Sequence, residues 1–187
     1  MNTTRRSLLG IAALGAGSLL VSGGPAEAAP SARQIDIDAA NALNQLYAVQ
    51  PKARGLSKRA KGVLVFPKIY KGGFLVGGLS GNGVLRVGGR PAGYYNITAA
   101  SFGLQAGAQA YSFARFFMTN EALDYLNKSD GWAIGSGPSV VVVDKGMAAN
   151  LSSTTLTQDV YAIPFGQKGL MAGLGLEGSK ITHIHPA

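Results

Sequence analysis

Seven cations stand between residues 52 and 71: Lys52, Arg54, Lys58, Arg59, Lys61, Lys68 and Lys71, with no acidic residue among them. Leu56, Val63, Leu64, Val65, Phe66, Ile69 and Tyr70 are interleaved. Near an anionic membrane surface each such cation contributes about 1 kcal/mol of attraction, and apolar neighbours can then enter the interface. The seven cations are therefore the expected binders of lipid headgroups, with Leu56 expected to insert. The competing reading is a solvated helix face followed by a core strand, and Val63–Phe66 is core under either. Nucleic acid is the rival polyanion. Only Phe66, Tyr70 and Phe74 stand near enough to stack on bases, and no recognition helix, RNP or zinc motif accompanies them, so no nucleic-acid partner is expected.

Other residue types that could do chemistry do not assemble in the sequence. There is no cysteine, which removes disulfides, thiol catalysis, cysteine metal ligands and an acylated N-terminal cysteine. His183 and His185 could share one strand face, but no acidic or cysteine cluster completes a metal site, and a solvated strand end accounts for both. Gly173-Leu-Gly175-Leu-Glu-Gly178 has dinucleotide-fingerprint spacing. That fingerprint works between a strand and a helix, whereas here only nine residues follow and they alternate like a strand. The nine acids are spread thinly. An enzyme would have to gather residues such as Asp130, Asp144, Asp159 and Glu177 in space. The sequence nominates no catalytic residue, metal or cofactor.

The elements that must position the cations are legible from periodicity. Residues 31–49 have Ile35, Ala39, Ala42, Leu43 and Leu46 at helical spacing, and Pro51 ends that helix or opens the next. Residues 52–61 read as a second, shorter helix with Ala53, Leu56 and Ala60 on one side and cations around the rest, stopped by Gly62. From there the pattern turns to strands. Val63–Phe66 is expected to end at Pro67, and Phe74–Leu79 pairs with Val84–Val87 through a type I′ turn at Asn82-Gly83. Residues 94–118 form a long extended stretch with Gly103 and Gly107 permitting a bend. A short helix over 120–128 follows, capped by Thr119 or Asn120. Val140–Val143 reads as a buried strand, Val160–Phe165 as an edge strand because of Pro164, and Leu170–Leu176 pairs with Lys180–Ile184. The sum is α+β: N-terminal amphipathic helices, then a strongly curved, mostly antiparallel, barrel-like sheet with one inserted short helix.

The N-terminus reads as a cleavable export signal over residues 1–28. Arg5 and Arg6 form the paired-arginine head, a short apolar stretch follows from Leu8 to about Val21, and Ala26-Glu27-Ala28 is a small-residue cleavage site. The apolar stretch is short for a membrane span. The chain carries +8 overall, and residues 1–28 contribute Arg5, Arg6 and Glu27, leaving +7 for residues 29–187. Those residues are expected to form one domain, exported to the periplasm or beyond and associated peripherally with a membrane.

Several blocks, in one order, resemble the SYLF-domain family. They are Ala60–Lys68, the Lys71–Phe74 turn, Tyr95–Gly103, Gln105–Gln109, Leu126–Trp132, Val140–Gly146 and Asp159–Ile181, so the resemblance runs from about residue 35 to 184. It implies lipid binding through the N-terminal amphipathic and basic portion, here residues 31–71. Eukaryotic members bind phosphoinositides, and some bind and bundle actin. Those usually carry an added SH3 or FYVE module, and this chain resembles the stand-alone bacterial type, for which actin is an unlikely partner. The expected function is non-catalytic, peripheral binding of anionic phospholipid. The alternative is an envelope structural protein that meets a protein partner through its glycine-rich sheet.

Overall fold

The computed structural model describes residues 29–74, 76–102, 107–128, 132–133, 137–143, 157–169 and 179–187. The expected export signal, with Arg5, Arg6, Ala26 and Ala28, lies outside the described residues, as do Gly103 and the expected strand Leu170–Leu176.

Two helices open the fold. Helix α1 spans Ala32–Val49, with Ser31 Oγ accepting a hydrogen bond from the Gln34 N–H at 3.3 Å as its N-cap. It buries the Ile35, Ala39, Ala42, Leu43 and Leu46 stripe. Helix α2 spans Pro51–Arg59, begins on Pro51 where a missing N–H costs nothing, and buries Ala53 and Leu56. Ala60, in an extended conformation, ends it. Gly62 is already the first residue of the next strand, where an added Cβ would stand 3.0 Å from Leu123 Cδ1.

Eight strands follow: β1 Gly62–Phe74, β2 Val76–Val87, β3 Arg90–Phe102, β4 Gly107–Phe117, β5 Trp132–Ala133, β6 Val140–Val142, β7 Val160–Gly169 and β8 Lys180–Ile184, with helix α3 (Asn120–Lys128) between β4 and β5. They form one sheet in the order β5-β8-β3-β2-β1-β4-β7-β6, antiparallel throughout except for the β6–β7 pair. The sheet is strongly curled into a half-barrel. The expected α+β architecture is the one observed.

The sheet divides two cores by the alternation of its strands. On its outer face α1 and α2 pack onto Val63, Val65, Ala114, Phe116 and Ile163. Its inner, concave face gathers Leu64, Phe66, Phe113, Phe117, Trp132 and Ile181. Helix α3 closes on the inner side through Ala122 and Leu126, with Thr119 Oγ1 accepting from the Ala122 N–H at 3.2 Å.

Three expectations about strand limits are corrected. Pro67 does not end β1; it sits in an irregularity where pairing to both neighbours shifts register, between Val65 and Tyr70 on one side and between Phe66 and Ile69 on the other. A bulge tolerates the missing N–H that a ladder would not. Asn82-Gly83 is not a turn. Asn82 lies mid-strand opposite Asn96, whose Nδ2 donates to Asn82 Oδ1 at 2.7 Å. The turn falls at Gly88-Gly89, whose φ values of 57° and 81° suit a type I′ hairpin. Gly81 and Gly83 serve close approach instead. A Cβ on Gly83 would lie 2.4 Å from the Val65 carbonyl oxygen and 2.6 Å from Phe66 Cδ1, and one on Gly81 would lie 2.6 Å from the Lys68 carbonyl oxygen. The glycines thus receive the β1 bulge. Finally, β6 is the half-buried edge strand rather than a buried one, and β7 lies between β4 and β6. Pro164 stands beyond the short stretch that β6 covers, Val160–Ala162, so no N–H is needed on that side.

Two glycine substitutions test this reading of the backbone. Gly83→Ala should lower the unfolding free energy by about 1–3 kcal/mol, as overpacking does. Gly55→Ala, in α2 with open space around its Cα, should raise it by about 0.5–1 kcal/mol. Denaturant midpoints at constant slope measure both.

Candidate functional site

The basic helix is fixed from below. Ala53 and Leu56 are 1% and 2% exposed and belong to the outer core, which leaves Lys52, Arg54, Lys58 and Arg59 facing solvent, followed by exposed Lys61 in the link to β1. Arg54 lies over the Tyr47 ring at 5.1 Å, so α1 supplies an aromatic support for one of the cations.

Beside α2 the fold leaves a cavity of about 410 Å³. One wall is α1, with Asn44 and Tyr47; a second is α2 and its end, with Ser57, Lys58 and Ala60; the third is the β2–β3 hairpin, with Arg86, Gly88 and Gly89. Pairing of Val63 with Arg86 between β1 and β2 puts the second cation opposite the end of α2. Arg86 Nη2 donates to the Gly89 carbonyl oxygen at 2.6 Å, which holds the guanidinium at the turn. Among the described residues no acid lines the cavity. Two cations, a hydroxyl, an amide side chain and a glycine turn around one concavity are the chemistry of an oxyanion site: point charge from Lys58, forked donors from Arg86 and neutral donors alongside.

The structure gathers some of the expected residues and separates others. Lys52, Arg54, Lys58, Arg59 and Lys61 share one exposed region, and of these Lys58 lines the cavity. Lys68 is exposed but lies within the bulge, with its Nζ 5.4 Å from the Tyr70 ring, beside a different depression that also contains Asp38. Lys71 is 4% exposed and shares a rung with Gln109 on the inner face, so it does not extend the surface patch. Leu56 is a core residue, not an inserting one: its side chain is the anchor that orients α2.

Arg86 escaped the sequence reading because the hairpin was expected at Asn82-Gly83, which leaves Arg86 in mid-strand; the Gly88-Gly89 pair two residues on was the available signal. Arg115 was also missed, as the lone cation in the apolar run Phe113–Phe117. It is fully buried, and burial pulls its guanidinium pKa down to about 9. His183 and His185 are exposed, with ring centroids 5.0 Å apart. Among the described residues no group of three potential metal ligands forms, and no helix is long and apolar enough to cross a membrane.

Residues 98–185 match the family model Ysc84, described as Las17-binding protein actin regulator. Over those residues, a little under half of its length, the chain is similar to the SYLF-domain family. The SYLF match takes in the last part of β3, then β4, α3 and β5–β8, and it stops short of α1, α2 and the cavity beside them. No curated protein matches the chain.

Core and surface roles on α2 separate in one comparison. Leu56→Ala should destabilise the fold by about 2–5 kcal/mol through the cavity it leaves, whereas Lys58→Ala should stay within about 0.5 kcal/mol of the parent. Equal effects in thermal or denaturant unfolding would contradict the assignment.

Proposed function

We propose that this SYLF-type protein binds anionic phospholipid at a membrane surface, with the cavity between α2 and the β2–β3 hairpin taking the headgroup phosphate and the exposed cations of α2 taking neighbouring headgroups. One observation carries this reading: Lys58 and Arg86 face one acid-free concavity at the edge of a surface that already displays Lys52, Arg54, Arg59 and Lys61. The SYLF-family match over residues 98–185 supports a lipid- or actin-related binding role. The expected export signal favours lipid over actin, because an exported protein meets membrane and not cytoskeleton. Binding on this account is peripheral and non-catalytic, and the protein works outside the cytoplasm.

The chemistry is electrostatic first. Cations at about 1 kcal/mol each draw the protein to an anionic surface, and Arg86 then chelates one phosphate. Exposed charges are screened over about 10 Å at 0.1 M salt, so affinity should fall as salt rises.

Cosedimentation of residues 29–187 with vesicles checks this. The protein should pellet with phosphatidylglycerol-containing vesicles and not with neutral ones, less so at each higher salt. Reversing Lys58 and Arg86 together to Glu should weaken binding by at least about 100-fold, from roughly 4 kcal/mol lost over two reversed charges. Unchanged binding would remove the cavity from the account. No binding to anionic vesicles at low salt would defeat the lipid reading and turn the search to a protein partner for the glycine-rich sheet.

A further inference from the structure

A second cation site stands apart from the basic helix, on the opposite face of the sheet. Arg115 lies on β4, near the middle of the strand order, and its side chain points into the concave core with Phe113 and Phe117. It is 0% exposed. Its register partners are Leu64 on β1 and Ala162 on β7, both apolar. Its guanidinium carbon lies 5.3 Å from the Phe113 ring and 5.2 Å from the Trp132 ring. Trp132 belongs to β5, the far edge of the sheet, so the curl brings that edge over the centre.

Among the described residues, Nε, Nη1 and Nη2 of Arg115 have no hydrogen-bond partner. Aromatic faces partly offset the buried charge, but they leave the five N–H donors without acceptors. At neutral pH the group is still a cation, since even after the lowering caused by burial it titrates at about 9. Unpaired buried cations are among the least favourable groups a fold can hold. An oxyanion acceptor would offset that cost.

We propose that Arg115 receives an oxyanion, a carboxylate or phosphate, inside the half-barrel. The planar fork matches either group with two parallel hydrogen bonds. The residues around it, Leu64, Phe113, Phe117, Trp132 and Ala162, offer apolar and aromatic contact. They suit a ligand with one charged group on an apolar body, or a free inorganic oxyanion. Among the described strands the two edges of the sheet, β5 and β6, do not pair with each other. This site is independent of the α2 cavity and stands whether or not that cavity binds headgroups.

Calorimetric titration of residues 29–187 with sodium phosphate, and separately with oleate below its micelle concentration, tests the proposal against chloride at matched ionic strength. One equivalent of phosphate, of oleate or of both should bind. Phosphate alone identifies a free anion, and oleate without phosphate identifies an amphiphile. Arg115→Met should weaken binding by at least about 30-fold, as truncating one partner of a buried charge pair does. Lys58→Glu with Arg86→Glu should leave it unchanged, which separates this site from the α2 cavity. Should Arg115→Met fail to fold, Arg115→Lys keeps the charge but loses the fork, and should bind about tenfold more weakly. Neither probe binding to the parent, or equal binding by the folded Arg115 variants, would overturn the proposal.

Discussion

Strand β1 has no face turned to water along its first half. Val63 and Val65 enter the outer core under the helices, while Leu64 and Phe66 enter the inner core of the half-barrel. A strand buried on both sides has its register strongly specified, because a slip of one residue exchanges every side chain between the two cores. That constraint propagates. Only Ala60 and Lys61 separate helix α2 from β1, so its position follows from where Gly62 must lie. The pairing of Val63 with Arg86 follows from the same register, and with it the meeting of Lys58 and Arg86 across one cavity. The candidate headgroup site is thus a by-product of core packing, with the charges placed on elements whose geometry the apolar residues decide.

The bulge at Pro67 is the other consequence of a long strand in a curled sheet. The one extra residue in β1 sits against β2, and β2 answers with Gly81 and Gly83, where any side chain would collide with β1. Much of the glycine in this region therefore marks backbone contact and not turns. Such contacts raise the local twist and help the sheet wrap, which carries Trp132 on the edge strand over Arg115 at the centre.

Residue periodicity revealed the helices nearly to the residue. The stripe from Ile35 to Leu46 needed no tertiary information, and neither did the capped helix at 120–128. The α+β class and the curl were also legible, from the change to alternation after Gly62 and the abundance of small residues. Asn82-Gly83 misled because its local turn preference was overridden by two flanking strands that both had to pass the β1 bulge. Leu56 misled because apolar residues in a basic helix look alike whether they face lipid or core; only the packing partners beneath α2 decide between the two. Lys71 misled for the complementary reason, since strand alternation turns it inward while its charge argues outward. Arg86 needed the hairpin to be placed at Gly88-Gly89, and what surrounds Arg115 depends on long-range register. The family match to residues 98–185 recovers the second half of the sheet and says nothing about α2 or its cavity.

The central claim is that a phosphate-bearing headgroup sits between α2 and the β2–β3 hairpin. The most direct measurement is an amide chemical-shift titration of residues 29–187 with a short-chain phosphatidylglycerol below its micelle concentration. The account predicts a saturable perturbation centred on Ser57–Lys61 and on Arg86, Gly88 and Gly89. A perturbation centred elsewhere, or none up to the solubility limit of the lipid, would contradict it.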